Sequence, residues 1–160
     1  MLERLETWLV AHAPVTHAGL CPPAGADLLQ ALGDPETAML YAWHNGSRGS
    51  FQLAPQLEFT PLELGSRPGW DPAWLPIATD GCGGFLVADR ESLRVFRAAN
   101  EYLPYVCLLA GSVTELVADV VTALESGSTL HGSSPVVEHG ELDWVPTPEA
   151  AEFRYDFKII

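Results

Sequence analysis

The chain has 160 residues, 48% of them hydrophobic, which is the size and composition of one globular domain with a buried core. Its 21 acidic and 8 basic side chains give a net charge of −13 at pH 7. Nucleic acids and anionic lipid surfaces are bound through clustered lysine and arginine, so this charge argues against both as partners and favours a basic protein.

The cysteines and the apolar runs predict the compartment. No segment joins basic residues to the apolar stretch of a secretory signal, and no apolar run approaches the roughly 20 residues that span a bilayer. Cys21, Cys82 and Cys107 are odd in number and widely separated, unlike a disulfide framework. We therefore expect a cytoplasmic protein.

The chain begins with two short predicted helices. An apolar stripe over residues 2–9 predicts a helix that ends before Pro14, because the residue before a proline disfavours the helical region. Residues 26–32 predict a second helix, whose three leucines are expected to face inward (Leu28, Leu29 and Leu32).

Two further helices carry clear end signals. Asp34-Pro35 supplies an N-cap and a first helical proline, and His44-Asn45-Gly46 ends that helix with residues that tolerate a left-handed backbone. Apolar residues recur at the spacing of one helix face throughout residues 113–125, which predicts an amphipathic helix. Ser112 caps the start of this helix and Gly127 suits its end.

Between these helices the apolar pattern changes to period two, which indicates strands. The first apolar alternation, over residues 51–59, is broken at Pro55, as at a sheet edge. Further strands are predicted at 75–79, 85–89, 93–97 and 105–110. Their short spacing favours antiparallel pairing, so we predict a single-domain α+β fold with an antiparallel sheet packed against several helices.

The last part of the chain differs from the rest in composition. Residues 127–140 are rich in Ser, Gly and His and predict an exposed loop, and alternation over 153–159 predicts a terminal strand. Residues 1–127 therefore form the predicted domain, and residues 128–160 form an acidic extension packed on it or extending it. The extension concentrates six carboxylates (Glu138, Glu141, Asp143, Glu149, Glu152 and Asp156).

The most conspicuous motif is the glycine-rich segment at residues 80–84. Asp80, Gly81, Gly83 and Gly84 are expected to form a tight hairpin turn, and Cys82 has no histidine and acid at a spacing that predicts a nucleophile. The histidines and cysteines lack the paired spacing of a metal site, so we predict no metal, no cofactor and no catalytic residues.

The tryptophans divide into two groups. Trp43 and Trp74 lie in apolar segments and are expected to be buried. Trp70 and Trp144 stand beside prolines and acids, so they predict an exposed recognition surface, since tryptophan is enriched in interface hot spots. The residues expected to bind a partner are thus Trp70, Asp71, Glu138, Glu141, Asp143 and Trp144.

The segment WLPIATDGCGGFLVAD at residues 74–89 resembles the central motif of the SUKH superfamily, the Smi/Knr-like domains. The upstream segments LCPP at 20–23 and YAWHNG at 41–46 are similar to the helix motif of that family. The similarity covers residues 20–127. It implies structural roles for Trp43, Asn45, Gly46, Trp74, Pro76 and the turn residues, and it offers no catalytic residue to carry over.

The resemblance implies an α+β domain without enzymatic activity. Many bacterial members of the superfamily are immunity proteins that neutralise a cognate toxin by binding it, and fungal relatives act through protein contacts. We therefore expect an immunity protein for a basic toxin, such as a nuclease. Two alternatives stay open: an intracellular regulatory or scaffold protein, and a small-ligand binder or hydrolase with a cleft near Asp80 and Cys82.

Overall fold

A computed structural model describes residues 1–65, 67–100, 103–148 and 158–159. Over these ranges it has the elements α1 (Leu2–His12), α2 (Pro14–Ala18), α3 (Ala26–Leu32), α4 (Pro35–Trp43), β1 (Gln52–Ala54), β2 (Leu57–Phe59), β3 (Trp74–Thr79), β4 (Gly84–Asp89), β5 (Val95–Ala99), β6 (Tyr105–Ala110), α5 (Val113–Ser126), β7 (Ser133–Glu138), β8 (Glu141–Pro146) and β9 (Lys158–Ile159). The predicted α+β class is confirmed.

Seven strands form one sheet in the order β1-β2-β3-β4-β5-β6-β9, and every neighbouring pair is antiparallel. Strand β4 shows how the sheet buries both faces. Leu86 and Ala88 belong to the main core, whereas Phe85 and Val87 belong to a second cluster. Because side chains alternate along a strand, these clusters lie on opposite sides of the sheet.

The main core joins the helices to the first face of the sheet. Helix α5 contributes an unbroken row of buried residues, as its period predicts (Val113, Leu116, Val117, Val120, Val121 and Leu124). The hydroxyl of Ser112 accepts the backbone N–H of Glu115 at 3.2 Å, and Gly127 ends the helix in the left-handed conformation. Both predicted caps of α5 are therefore confirmed.

The N-terminal helices agree with the predicted positions but differ in detail. Pro14 starts the one-turn helix α2, which was not predicted. Leu28 is 38% exposed, contrary to prediction, because seven residues of α3 present a narrow stripe and bury only Leu32. Helix α4 ends on an extended His44, and the left-handed residue comes two positions later at Gly46.

The predicted exposed loop over residues 127–140 is wrong from Ser133 onward. Strands β7 and β8 form a separate two-stranded hairpin in perfect register. His139 and Gly140 make its turn with φ of 53° and 83°, the left-handed pair that a two-residue hairpin requires. Strand β5 begins at Val95, two residues later than predicted.

The terminal strand is confirmed at Lys158–Ile159, which pairs with β6. The rest of that predicted strand, with Glu149, Glu152 and Asp156, lies outside the described residues. Among the described helices, none has the length and apolar character needed to cross a membrane.

Candidate functional site

Three of the predicted partner-binding acids share one face of the β7–β8 hairpin. Glu138 pairs with Glu141, and Val136 pairs with Asp143 two residues further along. Val145 lies on this same face, and the three carboxylates and Val145 are exposed. We call this surface, formed by Glu138, Glu141, Asp143, Val136 and Val145, the acidic face.

The opposite face of the hairpin contains Trp144 and is buried at Trp144 and Leu142, whereas Val137 near the turn is 38% exposed. The Trp144 side chain is only 3% exposed, and its indole N–H donates to the backbone carbonyl of Gln52 at 3.4 Å. The predicted exposure of Trp144 is therefore wrong. The strand alternation that turns Asp143 outward turns Trp144 and Leu142 into the main core.

Helix α2 holds the hairpin in place through the backbone. The N–H of Val15 donates to the carbonyl of Gly140 at 2.9 Å, and the N–H of Leu142 donates to the Thr16 hydroxyl at 2.8 Å. Thr16 is buried, so this contact is shielded from water. The acidic face thus stands on a hairpin fixed at its turn and along its inner side.

A groove of about 320 Å³ lies beside the acidic face, between α2, β8 and residues 49–52. Glu141 and Asp143 line it, and no basic side chain does. The amide of Gln52 donates to Asp143 at 3.2 Å, and Glu141 is exposed. The groove is at the lower end of the volume range of ligand pockets, and its charge suits a cationic group.

Trp70 and Asp71 do not belong to this surface. Trp70 is 8% exposed, contrary to prediction, because its loop folds over the second cluster, where it meets Trp74 and Phe85 at ring-centroid distances of 5.9 and 5.2 Å. Asp71 is exposed, and its carboxylate accepts the N–H of Ala73 at 2.8 Å. Trp70 thus covers the sheet face opposite to the main core, whereas the hairpin packs on the main core through Leu142 and Trp144.

Trp43 and Trp74 are half-buried rather than fully buried, and each packs against the edge of a cluster. Trp74 contacts Phe96 edge to face, with ring centroids 4.9 Å apart. Pro76 is buried in β3, next to an irregularity in the pairing with β4.

The glycine-rich segment is a turn held by Asp80. Its Oδ1 accepts the backbone N–H groups of Cys82 and Gly84, each at 2.8 Å, while Gly81 and Gly83 have φ of 74° and 102°. The Cys82 side chain is exposed, and neither the groove described above nor a second cavity of about 230 Å³ near Phe85 is lined by Asp80 or Cys82.

The two upstream segments that carry the family resemblance contact each other. The N–H of Asn45 donates to the carbonyl of Pro22 at 3.1 Å, and the N–H of Cys21 donates to the carbonyl of Gly46 at 2.9 Å. The Asn45 side chain also accepts the N–H of Leu62 at 2.7 Å. These hydrogen bonds hold the segment after α4 against residues 21–22 and Leu62, which is a structural role.

The structure also brings together a polar cluster that the sequence did not predict. Glu6 on α1 lies 2.7 Å from Nε2 of His17 on α2 and 3.3 Å from Nε2 of His44 after α4. Trp43 Nε1 donates to Glu6 at 2.8 Å. Partial burial acts to raise the pKa of Glu6, but the hydrogen bonds to His17, Trp43 and His44 together lower it. No spacing signal reveals this cluster, because each residue comes from a different element.

Neither the known protein-family models nor the sequences of characterised proteins match this chain. Function is therefore inferred from two features of the described residues, the acidic face with its groove and the cluster of Glu6, His17 and His44.

Proposed function

We propose that this protein is a cytoplasmic, non-enzymatic binding module of the Smi/Knr-like (SUKH) type that neutralises a basic toxin through its acidic face. The resemblance at residues 74–89 and the antiparallel α+β fold support the family assignment. A nuclease toxin would present the basic surface that it needs for nucleic acid, and an acidic inhibitor associates rapidly with such a surface.

The observation that carries the proposal is the direct cross-strand pair of Glu138 and Glu141. Like charges at directly opposed positions of a hairpin destabilise it. Residues 128–148 contain no lysine or arginine that could compensate this repulsion along the hairpin. A cationic side chain of a partner would remove the repulsion. Binding would therefore be favoured by the free energy that this repulsion costs the unbound hairpin.

The surroundings of this pair resemble a protein interface. Val136 and Val145 provide apolar contact area between and beside the carboxylates, and the groove next to Glu141 offers a recess for a lysine or arginine side chain. Because α2 and the core fix the hairpin, little ordering free energy would be lost on binding.

The proposal is tested by charge reversal on the acidic face. We expect the protein to capture a basic partner from cells of its source at low salt, and to lose it at about 0.3 M salt, where the Debye length is about 6 Å. A variant with Glu138→Lys, Glu141→Lys and Asp143→Lys should bind the purified partner at least about 100-fold more weakly in calorimetry.

The matched control carries Asp27→Lys, Glu91→Lys and Asp119→Lys, three exposed positions outside the hairpin that change the net charge by the same amount. It should retain partner binding within a few fold. Equal weakening in both variants would show that only net charge matters, and equal retention would remove the acidic face as the site. A captured partner that is not toxic when expressed alone would replace inhibition with a regulatory role.

A further inference from the structure

The cluster of Glu6, His17 and His44 joins three helical segments at one partly solvent-accessible point. Its potential ligand atoms all lie within 4.8 Å of one another, and the side chains are 36%, 30% and 17% exposed. Two imidazole nitrogens and one carboxylate are a ligand set that occurs in three-residue zinc sites, where a water completes the tetrahedron.

The hydrogen bond made by Nδ1 of His44 determines whether the other ring nitrogen, Nε2, can act as an acceptor or a metal ligand. Nδ1 of His44 lies 2.7 Å from the carbonyl oxygen of Cys21, which can only accept, so Nδ1 carries a proton. In the neutral imidazole Nε2 then has a lone pair, and this lone pair faces a Glu6 oxygen at 3.3 Å. Two acceptors in this position repel each other, and a cation between them, a proton or a metal ion, would remove that repulsion.

The same arrangement is the outer-shell pattern of metal-binding histidines. A ligating histidine commonly donates its second N–H to a backbone carbonyl, which fixes the tautomer and aims the other nitrogen at the metal. His44 has this contact with Cys21, and the indole of Trp43 orients the Glu6 carboxylate from outside the cluster. Both ligands are therefore oriented before any ion binds.

We propose that Glu6, His17 and His44 bind one divalent transition-metal ion of the zinc class, with water as the fourth ligand. Zinc bonds of about 2.0–2.1 Å place tetrahedral ligand atoms about 3.3 Å apart. The 2.7 Å contact of Glu6 with His17 must therefore lengthen slightly, while atoms separated by up to 4.8 Å approach. Imidazole and carboxylate ligands without a thiolate favour Zn²⁺ over softer ions such as Cu⁺.

The test is titration of Zn²⁺ into chelator-treated protein, followed by competition with a chromophoric chelator. We expect one ion per chain at micromolar zinc, and a tetrahedral visible spectrum when Co²⁺ replaces Zn²⁺. His17→Gln and His44→Gln should each weaken binding by more than the roughly 10–100-fold that loss of an outer-shell partner costs, whereas Trp43→Phe should fall within that range.

His12→Gln is the matched control, because His12 is an exposed histidine of α1 outside the cluster. It should retain the wild-type affinity. Absence of stoichiometric binding at micromolar zinc would overturn the proposal and leave a proton as the cation between His44 and Glu6. X-ray absorption spectroscopy of the zinc-loaded wild-type protein tests the proposal without any variant that could fail to fold. A zinc coordination shell without two imidazoles would also overturn the proposal.

Discussion

Among single residues, Gly46 shows most directly why the His44-Asn45-Gly46 segment has its sequence. Its φ is +79°, and a Cβ added there would lie 2.3 Å from the backbone nitrogen of Pro61. Both the left-handed backbone and the close approach exclude any other residue. Because the obstacle is backbone, a side chain cannot turn away to make room.

We therefore predict that Gly46→Ala lowers the free energy of unfolding by at least about 2–3 kcal/mol, measured by urea denaturation. Gly65→Ala is the control, since the φ of Gly65 lies outside the left-handed region and a Cβ there meets no atom within 4 Å. This control should stay within about 0.5 kcal/mol of the wild type. A similar small effect of Gly46→Ala would contradict the described packing of Pro61.

His131 is one residue whose partial burial makes stability depend on pH. Burial lowers its pKa and the charge of Arg97 lowers it further, while Asp119 acts in the opposite direction. In the unfolded chain the imidazole has its usual pKa of about 6.5. As the pH falls below that value, the unfolded state binds protons more readily than the folded state, so stability is lost toward acid pH.

We predict that His131→Asn reduces the loss of stability between pH 7 and pH 5, measured by urea denaturation at each pH. Asparagine suits the site because His131 has a φ of +47°. His139→Asn makes the same change at an exposed residue with a φ of +53° and should retain the wild-type acid sensitivity. Unchanged acid sensitivity in His131→Asn would show that other groups cause it.

At the scale of elements, local signals predicted four of the five described helices and most of the described strands. Asp34 caps α4 by accepting the N–H groups of Glu36 and Thr37, and the apolar period of α5 matches its buried face. These features depend only on neighbours in sequence, so the sequence reveals them. The β7–β8 hairpin was missed because its turn is His139-Gly140 rather than Asn-Gly, and because serines and Pro135 begin it.

Tertiary contacts decide what the sequence could not show. Trp70 and Trp144 have polar neighbours in the chain, yet both are buried. The side chain of Trp70 packs in the second cluster, and the side chain of Trp144 points from β8 into the main core. Of the predicted site, the three hairpin acids come together. The cluster of Glu6, His17 and His44 depends on how α1, α2 and the end of α4 pack, and no local pattern encodes that packing.

Helix α2 connects the two proposed sites. His17 faces Glu6 at one side of this helix, and the N–H groups of Val15 and Thr16 donate to the Gly140 carbonyl at the turn of the hairpin. One turn of helix thus fixes both the polar cluster and the acidic face. The proline at its first position and the contacts on both sides compensate for a length at which an isolated helix would not form.

For the whole molecule, the net charge of −13 is the dominant electrostatic feature. Self-repulsion at this charge destabilises the compact state, and salt screens it. The ion pairs of Arg4 with Glu125 and of Arg97 with Asp80 act in the opposite direction, but the first is exposed and contributes little, and the second joins its charged atoms at 3.6 Å. Repulsion between unpaired carboxylates should therefore outweigh attraction in the response to salt.

We predict that the midpoint of urea unfolding rises when NaCl increases from low concentration to about 0.5 M, where the Debye length is about 4 Å. A variant with Glu138→Gln, Glu141→Gln and Asp143→Asn should be more stable at low salt and respond less to NaCl, because it lacks three charges of the acidic face. A midpoint that falls with salt would mean that attractive pairs dominate. That result would also contradict the argument that repulsion between carboxylates in the free protein favours binding of a cationic partner.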